Sequence, residues 1–393
     1  MRVLNPNSLD ASRLYVDDNG RIFRQIGPDV AAFIKDNASL FLVEGLAGDY
    51  ALIIKADFHN GPSCWSAAQI DAYVDFSTRL YEALARRGLY LWDGHPYNLI
   101  FQGSSPRFLD LGSLKTGTDQ TGYFSREISV YRVLKEFYRV SYAGRLRREI
   151  AKAEPISLDN LLRLGLSSIS DDDCYTPMAE RFNRFRNGPA YQPVGRWIAY
   201  RPPLADHKAE AAKDTRTNVL HHVLAHHNIR SAVDVGCNDG LHSITCALHG
   251  CKVLALDIED YSIGTLFQLA RTNNLPITPV VATLPDYINH LSFVDPVFAP
   301  KADLVMLFAV IHHLIHDFGY SFERLFDEAE TFSPRVLMLE FVSYEDVFLS
   351  QRPDKLPFYS LDTLCDTARR RGYNVEVTTP HEKGRQMVIA SRP

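Results

Sequence analysis

The run Asp234-Val235-Gly236-Cys237-Asn238-Asp239-Gly240 sets a carboxylate and two glycines at a spacing suited to holding a small polar ligand. The apolar residues before it read as a buried parallel strand, and Leu241–Leu248 opens a helix directly after it. A strand, a glycine loop and a helix N-terminus in that order present backbone N–H groups to a ligand at the carboxyl edge of a sheet. With no Cβ at Gly236 and Gly240, the ligand can lie against bare backbone. The next apolar run, Val253–Asp257, ends in a carboxylate that can accept two ribose hydroxyls. His312 and His313 follow the apolar run Ala302–Val310, and an imidazole can take a proton near neutrality. Glu340, near the end of Arg335–Val342, is a second group able to act as a base or to bind substrate. In the N-terminal half, Asp93, Asn98 and Asp110 follow the order D-x-x-x-x-N, apolar strand pair, D-x-G. Two carboxylates and an amide so placed are suited to metal-assisted phosphoryl transfer.

The elements around the first of these sets alternate regularly. Asp214 or Thr215 caps a helix through Val219, Leu220, Val223 and Leu224, spaced three and four apart. Strands are expected at Ser231–Val235, Lys252–Asp257, Ile277–Val281, Ala302–Val310 and Arg335–Val342, with helices between them. Ser360 caps a further helix, and Asn374–Thr378 and Gln386–Ala390 are short enough to close the sheet as an antiparallel hairpin. Parallel strands joined by helices make right-handed crossovers and a doubly wound α/β sheet. In the N-terminal half, Asn19-Gly20 turns a hairpin, and Ile70, Tyr73, Val74, Leu80, Tyr81 and Leu84 form the apolar stripe of a helix stopped by Gly88. The expected organisation is residues 1–150, a linker and cap over 151–213, and a second domain over 214–393.

Size and composition narrow the function classes. A chain of 393 residues can build two cores. A formal net charge of −5 gives no whole-chain footprint for nucleic acid or an anionic membrane. No apolar run approaches the roughly 20 residues of a membrane helix, and Met1–Pro6 lacks a signal-peptide core. Six scattered cysteines without a C-x-x-C pair suit free thiols in a reducing compartment, so a cytoplasmic protein is expected. His221-His222 and His226-His227 lack a nearby cysteine or third acid, and read as a solvated helix surface rather than a metal site.

The D-x-G-x-x-x-G spacing, with Asn238 where a dinucleotide fingerprint has its second glycine, resembles motif I of the class I S-adenosylmethionine-dependent methyltransferases. Val310-Ile311-His312-His313-Leu314 resembles the V-[LI]-H-H-[LI] signature of small-molecule members, and Ala282–Asp286 sits where the family's loop meets the adenine ring. The resemblance implies a Rossmann-like sheet and S-adenosylmethionine held by Asp234, Gly236, Asn238, Gly240, Asp257, Thr283, Leu284 and Phe308. It also implies a small-molecule or saccharide substrate deprotonated by His312, His313 or Glu340. The absence of N-P-P-[YF] after the fourth strand argues against the amino-methylating enzymes of adenine and glutamine.

Asp93-Gly94-His95-Pro96-Tyr97-Asn98 and Leu109-Asp110-Leu111-Gly112 resemble the aminoglycoside-phosphotransferase-like kinases, whose loop reads H-G-D-x-H-P-x-N before [IL]-D-[FL]-G. That resemblance implies an α+β kinase-like domain with a shortened nucleotide lobe. Asp93 would be catalytic, Asn98 and Asp110 would hold Mg²⁺, and ATP would be the nucleotide. Leu91 replaces the loop's opening histidine, no glycine-rich phosphate loop precedes it, and Arg24 stands where the ATP-binding lysine belongs. The expected role is a scaffold or substrate-docking module beside the methyltransferase. A bifunctional kinase–methyltransferase and a non-catalytic interaction protein remain as alternatives. So does an RNA methyltransferase, suggested by the interleaved arginines and aromatics of Arg181–Arg186.

Overall fold

The computed structural model describes residues 2–3, 14–94, 98–118, 207–291, 300–380 and 382–392. The chain divides into two compact units, Met1–Gly195 and Arg196–Pro393. The helix expected around Ile128–Tyr138, the basic clusters at Arg145–Arg148 and Arg181–Arg186, and the segment Tyr191–Pro203 lie outside the described residues.

In the first unit, strands β1 (Arg2–Val3), β2 (Leu14–Val16), β3 (Ile22–Gln25), β4 (Val43–Ala47) and β5 (Tyr50–Ile53) form an antiparallel sheet in the order β1-β2-β3-β5-β4. The β2–β3 hairpin turns at Gly20, whose φ of +73° a side chain would resist. Helix α1 (Pro28–Asp36) connects β3 to β4. Helix α2 (Ala67–Ala85) starts from a capping box in which Ser66 Oγ accepts from Gln69 N–H and Gln69 Oε1 accepts from Ser66 N–H. Its expected stripe is buried at Ile70, Tyr73, Val74, Leu80 and Leu84. Beyond it, β6 (Leu89–Leu91) pairs with β9 (Leu114–Thr116), and β7 (Leu99–Gln102) with β8 (Ser105–Phe108), both antiparallel. Buried Asn60 joins these parts: it donates to the Phe101 carbonyl, and it accepts from Phe101 N–H and Trp65 Nε1.

The second unit is a mixed sheet of seven strands: β10 (Ser231–Val235), β11 (Lys252–Asp257), β12 (Ile277–Val281), β13 (Leu304–Leu307), β14 (Val336–Val342), β15 (Asn374–Val377) and β16 (Arg385–Ser391). The order is β12-β11-β10-β13-β14-β16-β15; the first five are parallel, and β16 runs antiparallel to both β14 and β15. This is a Rossmann-like doubly wound sheet closed by the expected antiparallel hairpin. Helices α3 (His207–Lys213), α4 (Thr215–His226), α5 (Leu241–Leu248), α6 (Asp260–Thr272), α7 (Leu284–Leu291), α8 (Ile311–Phe318), α9 (Phe322–Glu330) and α10 (Leu361–Arg370) complete it. Helix α3 falls in the stretch expected as linker and cap, and its His207 Nε2 meets the Leu241 carbonyl of α5 at 2.9 Å. Asp214, Ser321 and Ser360 cap α4, α9 and α10 through their side chains. The fourth strand is shorter than Ala302–Val310, because Ala309 takes a left-handed φ of +52° that breaks the ladder after Leu307.

Register decides where the site lies. Leu256, Val235, Leu307 and Leu339 pair across one row. The residues that follow them, Asp257, Gly236, Phe308 and Glu340, therefore share one carboxyl rim. The strand order reverses between β10 and β13, which makes this rim a topological switch point, the place where open α/β sheets bind ligands.

Gly240, expected as bare backbone for a ligand, is also required by packing. A Cβ there would lie 2.4 Å from Leu266 Cδ1, and φ is +86°. The glycine lets α6 pack against the loop. Gly240→Ala is expected to destabilise the fold by about 2 kcal/mol or more, from overpacking and left-handed strain together; chemical denaturation measures it.

Candidate functional site

The loop after β10 is built around a carboxylate from the neighbouring strand. Gly236 and Cys237 N–H both donate to the Leu256 carbonyl, so the loop is pinned to β11 as it leaves the sheet. Gly236 (φ +74°), Asn238 (φ +49°) and Gly240 then turn the chain back into α5. Asp257 fixes that turn through one oxygen, which accepts from Asn238 N–H at 2.7 Å, while the other accepts from Glu259 N–H at 2.9 Å where the chain enters α6. Burial pushes the Asp257 carboxyl up, and the N–H groups of Glu259 and Asn238 oppose it. Each oxygen keeps acceptor capacity. Ile258, immediately beyond, is 40% exposed, an apolar face on the rim.

Asp234 lies on the same face of the sheet, one pleat further in. It is buried, accepts from Ser243 Oγ at 2.7 Å, and so ties β10 to α5 beneath the loop. Burial raises its carboxyl, opposed by His242 and Ser243. Across the switch point, Gly236 is closed by the loop after β13: a Cβ would lie 3.2 Å from Val310 Cγ2. Phe308 is buried, and the His242 ring meets it edge-on at 4.7 Å. On the β12 side, Thr283 Oγ1 accepts from Asp286 N–H at 3.1 Å and donates to its carboxylate, capping α7. Leu284 is buried.

A chain of charges runs along the other half of the rim. Arg216 makes a bidentate pair with Asp214 (2.6 and 3.0 Å) and reaches Glu340 at 3.2 Å. Arg385 reaches the other Glu340 oxygen at 3.5 Å and Asp346 at 2.8 Å. Glu340 is 1% exposed and serves as counter-ion to two guanidinium groups. Burial works to raise Asp214, but His242 and Arg216 outweigh it and hold its carboxyl well below the usual range. Beside this chain a pocket of about 350 Å³ is lined by Phe341, Tyr344, Tyr359, Ser343, Arg385 and Gln386.

The two histidines of α8 differ. His312 is buried, its Nδ1 has no partner, and its pKa is pushed down to about 3 by burial and then by His313 and Arg385. It stays neutral at physiological pH. His313 is half-buried, and its Nδ1 lies 2.8 Å from Asp317. Asp317 in turn is held by Arg352. An imidazole held at one nitrogen by a carboxylate is fixed in orientation and tautomer, as a general base requires.

A pH dependence of stability follows for His312. Its folded pKa lies below the unfolded value near 6.5, so the unfolded chain takes up a proton first as pH falls. Stability conferred by the neutral ring is complete above pH 6.5 and is lost toward pH 3. Between pH 6.5 and 4.5 the slope is about 1.4 kcal/mol per pH unit. Urea unfolding of His312→Leu over that window is expected to be flatter than wild type by this amount.

In the first unit the expected trio is brought together with Arg24. Leu109 N–H donates to the Asn98 carbonyl at 2.8 Å, setting Asn98 beside Asp110, and Asn98 Nδ2 donates to the Asp93 carbonyl at 3.1 Å. Arg24, on β3, pairs with Asp110 at 3.1 Å. Asp110 also accepts from Gly112 N–H and Ser113 Oγ.

No family model matches the chain, and no curated protein matches it. Among solved structures, WbdD aligns with a TM-score of 0.36 and 18% identity over 50% of this chain and 42% of its own. Another structure of WbdD describes it as a bifunctional kinase–methyltransferase. The magnesium protoporphyrin IX methyltransferase ChlM of Synechocystis PCC 6803, with bound SAM, aligns with a TM-score of 0.35 and 18% identity over 57% of this chain and 100% of its own. At such scores the function has to come from the rim itself.

Sequence reasoning missed Arg216, Arg385, Asp346 and His242, whose contacts are made across the fold. It also missed Asp317, for which a signal exists: a carboxylate four residues after His313 on one helix. Among the described residues no group of three metal-ligating side chains converges, and His221, His222 and His226 lie on the exposed face of α4. The five described cysteines are buried and none is in a disulfide. Among the described residues no helix is long and apolar enough to cross a membrane.

Proposed function

We propose that the second unit is an S-adenosylmethionine-dependent methyltransferase acting on a small-molecule or glycan-type acceptor. The observation that carries this is Asp257 at the switch-point rim, one oxygen anchoring the left-handed loop, the other the start of α6, and both retaining capacity for ribose hydroxyls. The groups present suit a nucleoside: a carboxylate for the sugar and an exposed apolar Ile258 next to it for a ring face. Bound there, S-adenosylmethionine would supply a methyl group on a sulfonium for in-line displacement.

The residues of the chain orient the acceptor and handle its proton. Attack by a hydroxyl forms an O–methyl bond, breaks the S–methyl bond and releases one proton. The Asp317 carboxylate beside His313 supports His313 as the base that accepts it. Neutral His312 adds no positive charge near a cationic sulfonium. The pocket beside Glu340 supports a glycan-type acceptor, since Tyr344 and Tyr359 give ring faces while Ser343 and Gln386 give hydrogen-bonding edges.

The test is turnover of labelled S-adenosylmethionine with a panel of hydroxylated mono- and disaccharides and small polar metabolites. A methylated product formed in step with S-adenosylhomocysteine supports the reading; no product from any member counts against it. His313→Ala is expected to lower kcat by about 100-fold or more, as loss of a general base does, with S-adenosylhomocysteine affinity unchanged. Unchanged kcat would return His313 to a packing role.

A further inference from the structure

The resemblance of the first unit to a kinase requires a divalent cation held by Asp110 and Asn98, and the side chains around Asp110 do not suit one. We propose that the Arg24 guanidinium occupies the cation's place, making this a metal-free site that does not bind Mg²⁺–nucleotide. The proposal is independent of the methyltransferase reading, which concerns the other unit.

A carboxylate has about four acceptor positions. Three at Asp110 are filled by donors of the chain itself: Gly112 N–H (3.2 Å) and Arg24 Nη2 (3.1 Å) on one oxygen, Ser113 Oγ on the other. Mg²⁺ binds carboxylate oxygen at about 2.0–2.1 Å and demands near-octahedral geometry. To enter, it would have to displace the Ser113 hydroxyl or sit within a few ångströms of a guanidinium that cannot lose its charge. Arg24 cannot simply swing away. It is 7% exposed, and its backbone is locked in β3 by pairing with Leu14 on one side and Ala51 on the other.

In a phosphotransferase of this kind a lysine at the Arg24 position serves the nucleotide phosphates and the acid serves the metal. Here the two charges neutralise each other inside the chain. The arrangement holds the Asp110 turn to the β-sheet without any ligand, as a scaffold requires.

The experiment uses the full chain, with thermal unfolding and tryptophan fluorescence as readouts; Trp92, 67% exposed beside Asp93, lies next to the site. Mg²⁺ alone, Mn²⁺ alone, ATP alone and Mg²⁺–ATP are each added at millimolar concentration. Wild type is expected to shift by less than about 1 °C in each case, a change worth well under 1 kcal/mol for a domain of this size. Arg24→Met, which keeps the stem and removes the charge, is expected to gain saturable Mn²⁺ quenching; Arg24→Lys is a second variant should the first fail to fold. A saturable Mg²⁺–ATP response of wild type that Asp110→Asn abolishes would overturn the proposal. So would a folded Arg24→Met as silent toward Mn²⁺ as wild type, because the silence would then have another cause.

Discussion

Replacing Asp257 by alanine is expected to weaken binding of S-adenosylhomocysteine by roughly 100-fold or more, since each charge-assisted hydrogen bond to a ribose hydroxyl is worth about 1.5–3 kcal/mol. The substitution removes more than ligand contacts. Asn238 N–H and Glu259 N–H lose their acceptor, so the left-handed turn through Gly236, Asn238 and Gly240 loses the group that holds it open. The fold is expected to survive, because the Leu256 carbonyl still pins Gly236 and Cys237, and Ser243 still ties Asp234 to α5. Calorimetry on the folded variant is the check, and an affinity equal to wild type would remove Asp257 from the ligand site.

The second large effect is expected at Glu340. Glu340→Ala leaves the face between Arg216 and Arg385 without its shared counter-ion, 1% exposed and out of reach of bulk water. Breaking a buried ion pair from one side costs about 3–5 kcal/mol. Arg216 keeps Asp214 and Arg385 keeps Asp346, which places the expected loss near the lower end, about 3 kcal/mol. Urea denaturation measures it directly. A loss below about 0.5 kcal/mol, typical of exposed pairs, would show that the charge chain does not hold this rim together.

Most of the second unit was legible because its signals are local. Apolar runs marked each strand, and the acid or glycine after each run marked the rim. Asp214, Ser321 and Ser360 stand directly before the periodic residues they cap. The rim itself followed from order: once β10, β11, β13 and β14 lie parallel in register, Asp257, Gly236, Phe308 and Glu340 must line up.

What was not legible depends on distance along the chain or on space. Arg216 and Glu340 are separated by 124 positions, and nothing local tells that two charges will meet. The role of Gly240 turns on Leu266 of the next helix, a packing fact that spacing cannot carry. Ala309 breaks β13 early although alanine carries no turn signal. In the first unit, resemblance placed Arg24 at the lysine position, but only the folded sheet shows its guanidinium on Asp110.

The central claim is that the rim of residues 234–257 holds a nucleoside thioether. Its most direct test is calorimetric titration of the wild-type chain with S-adenosylhomocysteine. One saturable site per chain is the predicted result, with micromolar affinity as an order of magnitude, about −8 kcal/mol. Absence of any saturable heat with this compound and with S-adenosylmethionine, in protein shown to be folded, would contradict it.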